Sequence, residues 1–286
     1  MSASDSEVVT RFAANPTRHL DVGEARIALL NRLYAQPSNG RFLLRVDNVG
    51  RAGAKDEFAA GIRNDLRWLG IDWSDEITQS TRVDRYRAAF EDLKTRRLVY
   101  ACYETAAELA LARKQRRAAG QPPVYDRAAL DLTQAARDKM EASGRKPHWR
   151  FRLDDNVISW DDEVQGPISL PAGYVSDPVV MQDAGSPLYA LASVVDDIDH
   201  GVTHVIASHD LIATTAAQIP IYAALNASPP VFAHPSTPRR KQGETNSRSL
   251  FSVRDLKARG IEPLTIASLL VTLGTPNGVA ARLALE

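Results

Sequence analysis

"RFAANPTRHLDVGEARIALLN", residues 11 to 31, decides how the rest of the chain is read. It reads as a strand, a Pro-containing turn, and a helix whose first turn carries Gly23. Strand, turn and helix in this order open nucleotide-binding sheets, because the N–H groups and dipole of a helix N-terminus attract anions. Here two acids, Asp21 and Glu24, stand in that first turn, where a phosphate-binding turn avoids negative charge. As N-terminal acids favoured by the helix dipole they need no ligand.

Working outward, the same order recurs. "EVVTRFA" and "RFLLRVDNV" are short β-branched or Leu-rich runs, each followed by a helical pattern, "GEARIALLNRLYAQ" and "KDEFAAGIRNDLRWLG". "GVTHVIASHDLIATTAAQIPIYAALN" repeats it with a polar turn from Ala207 to Asp210. Such alternation predicts an α/β fold with a parallel sheet. The texture differs between these units. Residues 100 to 145, rich in Ala, Arg and Glu, look helical; "HWRFRLD" and "ISWDDEVQGPISL" look like short strands, and "GQPPVYD" is a breaker. The pattern predicts a nucleotide-type sheet split by an inserted α+β domain and followed by C-terminal helices.

Composition sets the outer limits. With 286 residues, 44% hydrophobic and 24% charged, the chain buries a sizeable core and is long enough for two domains. Basic and acidic residues balance at 35 each, so there is no global basic field, no DNA-binding character, and any nucleic-acid contact is local. A single cysteine, Cys102, excludes an internal disulfide and a Cys-rich zinc site and suits a reducing cytoplasm. The start "MSASDSEVVT" has no signal-peptide pattern, and the longest apolar run, in "LTIASLLVTLG", is too short to cross a bilayer. A cytoplasmic protein without membrane contact is expected.

Eight segments, in order, carry a resemblance: "RFAANPTRHLDVGEARIALLN", "GRFLLRVDNVGR", "LRWLGIDW", "PPVYDRAAL", "PHWRFRLD", "GSPLYALASVVDDIDHGVTHVI", "FAHPS" and "SVRDLKARGIEP". The chain resembles the catalytic domain of glutamyl-tRNA synthetases over nearly its whole length. Its length is similar to that of the short relative, glutamyl-Q tRNA(Asp) synthetase. The resemblance implies a class I synthetase in which a Rossmann-type sheet binds ATP, with Mg, and glutamate, while an inserted domain receives the acceptor end of tRNA. It implies one sheet half over residues 1–97, the insertion over 98–187, the second half over 188–245, and a helical stem over 246–286 without an anticodon-binding domain.

The signatures of that family are altered. Its His-Ile-Gly-His motif falls on Asp21-Val22-Gly23-Glu24, so Asp21, Gly23, Glu24 and Arg26 are the nucleotide-binding residues the resemblance implies. A carboxylate about 4 Å from a phosphate charge would repel it by roughly 4 kcal/mol at an effective dielectric near 20. The Lys-Met-Ser-Lys-Ser motif falls in "RRKQGETNSRSLF", where Ser247 and Arg248 are the remnant; with Asp21 and Glu24 they complete the catalytic candidates, and the resemblance also assigns Arg248 to the nucleotide. In the amino-acid pocket the resemblance assigns Arg11, Asp47, Tyr189, Ser193 and Ala207. Ala207 replaces the family's carboxylate-gripping Arg, and loss of one partner of a buried charge pair costs about 3–5 kcal/mol. After Asp47 the usual Asp-Thr-Asp is Asn48-Val49-Gly50.

Two further groups bear on partners. Arg113, Lys114, Arg116 and Arg117 form a basic cluster on a helix end within the insertion, a candidate contact for RNA phosphates and equally a solvated face. His19, Asp21, Glu24, Asp47, His209 and Asp210 all fall on turns after strands, so they would gather at one site if the fold is kept. No metal site is expected, and no zinc at Cys102, where some short relatives begin a zinc cluster.

The altered signatures lead to the expectation of an atypical paralogue or pseudoenzyme that does not charge tRNA with glutamate but binds RNA or a protein partner. Two alternatives stand beside it: an ATP-dependent ligase acting on another amino acid or a non-tRNA acceptor, and a conventional short glutamate–tRNA ligase.

Overall fold

A computed structural model of the chain describes residues 7–236 and 252–273. The first half runs β1 (Val9–Ala14), α1 (Val22–Ala35), β2 (Arg41–Val46), α2 (Asp56–Trp68), β3 (Asp75–Thr78) and α3 (Val83–Thr95). Next come β4 (Val99–Cys102), α4 (Ala106–Ala118), α5 (Gln134–Ala142), β5 (His148–Phe151), β6 (Ile158–Asp162), β7 (Gly166–Leu170) and β8 (Val179–Met181). The chain then continues through α6 (Tyr189–Asp199), β9 (His204–Ile206), α7 (Ile212–Ala224), β10 (Val231–Ala233), α8 (Val253–Ala258) and α9 (Pro263–Thr272).

The main sheet has the order β3-β2-β1-β9-β10-β6-β7. All neighbours pair parallel except β6 and β7, which form an antiparallel hairpin. Strand β1 is buried along nearly its whole length, as a strand covered on both faces must be, and its apolar run reflects that. It pairs with β2 on one side, Arg11 opposite Leu43, and with β9 on the other, Thr10 opposite His204. The order of strands therefore reverses between β1 and β9, which opens a crevice at their carboxyl ends. This is the Rossmann-type α/β arrangement expected from the repeated strand–turn–helix pattern.

The strands between β4 and β8 divide. A separate antiparallel sheet, β4-β5-β8, carries α4 and α5. The β6–β7 hairpin, read in the sequence as part of the insertion, instead extends the main sheet by pairing Asp162 with Phe232. Asp162 makes that joint firm: it accepts from the His234 backbone N–H at 3.0 Å and meets the His234 ring Nδ1 at 2.5 Å, both residues buried. The helical reading of 100–145 is corrected at its start, where residues 100–102 belong to β4, while the break read at "GQPPVYD" is present. Between α4 and α5 the chain turns at Gly120 (φ 69°) and Arg127 (φ 63°), and Pro122-Pro123 denies the backbone donors a helix requires.

Beneath the crevice lies a buried ionic network. Arg45, with 0% of its surface exposed, donates from Nε to Asp47 Oδ1 at 2.7 Å and from Nη1 to Asp197 Oδ1 at 2.7 Å. Arg11 reaches the same Asp197 through Nε and Nη2, each at 3.1 Å, and the Tyr222 hydroxyl donates to it at 2.8 Å. Burial alone would raise the Asp197 pKa, but Arg11 and Arg45 hold it below the usual carboxylate range. Removing the shared cation leaves the Asp47 carboxylate buried without its partner and leaves Asp197 with Arg11 and Tyr222. Arg45→Leu is expected to cost about 3–5 kcal/mol of stability, read as a shifted midpoint in urea unfolding; a loss below about 1 kcal/mol would show the network to be dispensable.

Candidate functional site

At the β1/β9 crevice lies an open cavity of about 1400 Å³. The turn after β1 supplies Asn15, Arg18 and His19, and the α1 N-terminus supplies Asp21, Gly23 and Glu24. The opposite wall is Tyr189 from α6 with Ala207 and Asp210 from the turn after β9, and Asp47 and Arg51 follow β2. The start of α8 closes one side. Asp21 forms a β-bridge with Ser252, and the Val253 N–H donates to Leu20 O at 2.9 Å, which brings Arg254 and Asp255 to the cavity.

The two acids of the opening stretch have defined partners. Asp21 is the N-cap of α1: its Oδ1 accepts the Glu24 N–H at 2.8 Å, and Glu24 Oε2 accepts the Asp21 N–H at 3.2 Å. This capping box satisfies two donors that a helix start leaves open. Arg18 then clamps both side chains, from Nη1 to Asp21 at 2.5 Å and from Nη2 to Glu24 at 2.9 Å. Burial, with the Asp21 charge beside it, pushes the Glu24 carboxyl up to about 7. Arg18 by direct contact, and Arg51 through its charge on Glu24, partly offset the two acids. With both carboxylates engaged by Arg18, the pair offers no free donor set for a metal.

Other expected residues divide between wall and scaffold. Asp47 lines the cavity while its carboxylate is held by Arg45. Arg11 lines it too, with its guanidinium tied to Asp197. Ser193 does not reach the cavity: it is fully buried, and its hydroxyl accepts from Arg45 Nη2 at 2.9 Å. Arg26, assigned to nucleotide by resemblance, is instead a staple. It donates to the carbonyls of Leu270 at 2.9 Å and Leu273 at 2.7 Å, and to that of Ser236, fixing α9 against α1. Of the acids and imidazoles expected to gather, His19, Asp21, Glu24, Asp47 and Asp210 do so, whereas His209 is not part of the lining. Ser247 and Arg248 lie outside the described residues.

Sequence reasoning overlooked Arg18, Arg45, Arg51 and Asp197. Arg18 was legible, three residues before Asp21 and six before Glu24, within reach of both across one turn. The pairing of Arg45 with Asp197 spans 152 positions and left no local signal.

Away from the cavity, Arg113, Lys114 and Arg117 lie exposed on α4, and Arg116 donates to the Pro122 carbonyl at 2.9 Å. Near Cys102, the ligand atoms of Cys102, Glu104 and His148 lie within 4.8 Å of one another. Three donors are one short of a closed structural zinc site. Burial pushes the Cys102 thiol up to about 12, and Glu104 accepts from the Tyr125 hydroxyl at 2.5 Å. Among the described residues, no helix is long and apolar enough to cross a membrane.

A polar cavity over the strand-order reversal of a parallel sheet defines a ligand-binding α/β domain of the doubly wound class. Comparison with known proteins makes the family explicit. Residues 7–282 match the family described as tRNA synthetases class I (E and Q), catalytic domain, and the chain belongs to that family. It is 49% identical over 282 residues to glutamate–tRNA ligase 1 of Parvibaculum lavamentivorans, covering 97% of this chain and 63% of that protein. With glutamate–tRNA ligase 1 of Rhodospirillum rubrum it shares 47% over 272 residues, 94% of this chain and 61% of that one. The chain thus spans a little over three fifths of these relatives' length. A glutamate tRNA ligase from Elizabethkingia meningosepticum, solved with its amino acid, superposes with a TM-score of 0.82 over 96% of this chain and 63% of its own, at 22% identity, a likeness of fold.

These relatives overturn the expectation of an atypical paralogue or pseudoenzyme. Several proteins 44–49% identical across at least 94% of the chain are glutamate–tRNA ligases, which favours the conventional alternative. The physical reason that the altered turn misled is the Arg18 clamp, invisible when Asp21 and Glu24 are taken as unpaired charges.

The raised Glu24 carboxyl has a stability signature. Its folded pKa of about 7 exceeds the ordinary 4.5, so the proton it holds stabilises the fold fully below 4.5, and that contribution is lost as pH rises through 7. Glu24→Gln keeps an acceptor for the Asp21 N–H and does not titrate. Thermal unfolding from pH 5 to pH 8 should lower the wild-type midpoint more than that of the variant. Parallel curves would contradict the assignment.

Proposed function

We propose that the chain is the catalytic portion of a glutamate–tRNA ligase, which activates glutamate with ATP and transfers it to tRNA in the cytoplasm. The observation that carries this reading is the identity to glutamate–tRNA ligases over almost the whole chain, 94% of it and more.

The cavity suits that chemistry. Asp47, braced by Arg45, offers a carboxylate to the substrate ammonium, and Tyr189 supplies an aromatic wall. ATP phosphates would lie toward the first turn of α1, where backbone N–H groups and Arg18 favour anions. The substrate α-carboxylate oxygen attacks the α-phosphorus of ATP, and the bond to pyrophosphate breaks, giving glutamyl-adenylate. A terminal ribose hydroxyl of tRNA then attacks the activated carbonyl, loses its proton, and releases AMP. Asp47 has no place in bond-making: it positions the substrate.

The direct test is ATP-dependent formation of labelled glutamyl-tRNA by the full chain. Charging above the enzyme-free background is expected, with Asp47→Asn at least about tenfold lower in kcat/KM through loss of a charge-assisted contact. No charging by the wild type with any tRNA preparation would overturn the reading.

The basic end of α4 is a proposed tRNA contact. Changing Arg113, Arg116 and Arg117 together to Ala should weaken tRNA binding and flatten the dependence of log K on log salt by up to about two to three charges' worth. An unchanged slope in a filter-binding titration would return the cluster to a solvated helix face.

A further inference from the structure

Four arginines among the described residues line the cavity: Arg11, Arg18, Arg51 and Arg254. Three have partners that account for them. Arg11 is locked to Asp197, Arg18 is paired with Asp21 and Glu24, and Arg254, exposed, contacts His19 Nε2 at 3.2 Å. Arg51 is different. It is half-buried, its Nε is buried without a hydrogen-bond partner, and its guanidinium lies over the Tyr189 ring, 5.1 Å from the centroid. A buried guanidinium N–H left without an acceptor is unfavourable unless a ligand supplies one.

The backbone around Arg51 is built to hold it there. Gly50 has φ +63°, and a Cβ at that position would sit 2.5 Å from the Pro187 carbonyl oxygen and 2.6 Å from Leu188 Cδ2. Only glycine lets the loop seat against the residues that lead into α6 and Tyr189. Val49 anchors the same loop in the core, and Asn48 exchanges hydrogen bonds with Ser80, each 2.9 Å. In the sequence no acid stands between Asp47 and Arg51, and Asp47 is braced by Arg45. Across the cavity, Ala207 provides space and no charge.

We propose that Arg51 receives the side-chain carboxylate of the amino-acid substrate, the task for which position 207 has no cation. The assignment rests on the glutamate–tRNA ligase reading and gives that site its substrate class: a dicarboxylic amino acid, with the ammonium toward Asp47 and the side-chain carboxylate toward the Arg51 fork. Arg pairs with carboxylates bidentately, and its stacking on Tyr189 holds the plane of the fork. Glutamine, isosteric but neutral, is discriminated against because it leaves the guanidinium charge unpaired.

Steady-state kinetics on the full chain with tRNA present, supported by calorimetry with glutamate alone, tests this. Arg51→Gln should raise the KM for glutamate by about 100-fold or more while the KM for ATP moves by less than about threefold. Preference for glutamate over glutamine should collapse in the same variant, and adding Ala207→Arg should recover at least about tenfold in glutamate KM. A wild-type enzyme that charges tRNA, paired with an Arg51→Gln variant of unchanged glutamate KM, overturns the assignment and leaves the ligase reading intact. Equal rises in both KM values, or a lowered melting temperature without a change in the glutamate-to-glutamine ratio, also overturn it, since they mark a residue that only supports the loop. A wild type that neither binds glutamate nor charges tRNA removes the ligase reading and this assignment with it.

Discussion

The guanidinium of Arg45, wholly buried and shared between Asp47 and Asp197, is the constraint on which the site depends. It links β2 to α6, and through Asp197 to Arg11 on β1 and Tyr222 on α7. Four elements on both sides of the strand-order reversal are thereby fixed by one set of charges. Such a network is a costly way to build a core, because an apolar replacement of equal volume often matches its stability. What it supplies in addition is position: Asp47 reaches the cavity wall with its geometry set from behind.

The entry turn of α1 follows the same logic on a smaller scale. Asp21 and Glu24 cap the helix, Arg18 clamps them, and burial pushes the Glu24 carboxyl up to about 7. A helix start that would repel an anion is brought close to electrical balance. A ligand at that turn meets the field of the whole cluster and not the formal charge of one residue.

Much of the architecture was legible because its signals are local. Strand runs, Pro and Gly punctuation and helical spacing lie within twenty residues of one another, so the α/β alternation could be read directly, whereas the β1/β9 adjacency that opens the crevice could not. The β6–β7 hairpin misled for the opposite reason: its attachment to the main sheet depends on Asp162 meeting Phe232 and His234, about 70 positions away. Of the residues assigned to the amino-acid pocket, Arg11, Asp47, Tyr189 and Ala207 line the cavity. Ser193 and Arg26 were not, since each is consumed by a long-range hydrogen bond, to Arg45 in one case and to the carbonyls of Leu270 and Leu273 in the other. Side-chain partners across hundreds of positions leave no periodicity to find.

The central claim is that this cavity, despite its replaced signatures, is organised for an activated glutamate. A crystal structure of the full chain with a non-hydrolysable glutamyl-adenylate analogue tests it most directly. The account predicts the analogue in the β1/β9 crevice, its ammonium within hydrogen-bond distance of Asp47 and its phosphate mimic at the first turn of α1. An empty crevice at saturating analogue, or an analogue bound away from Asp47, would contradict it.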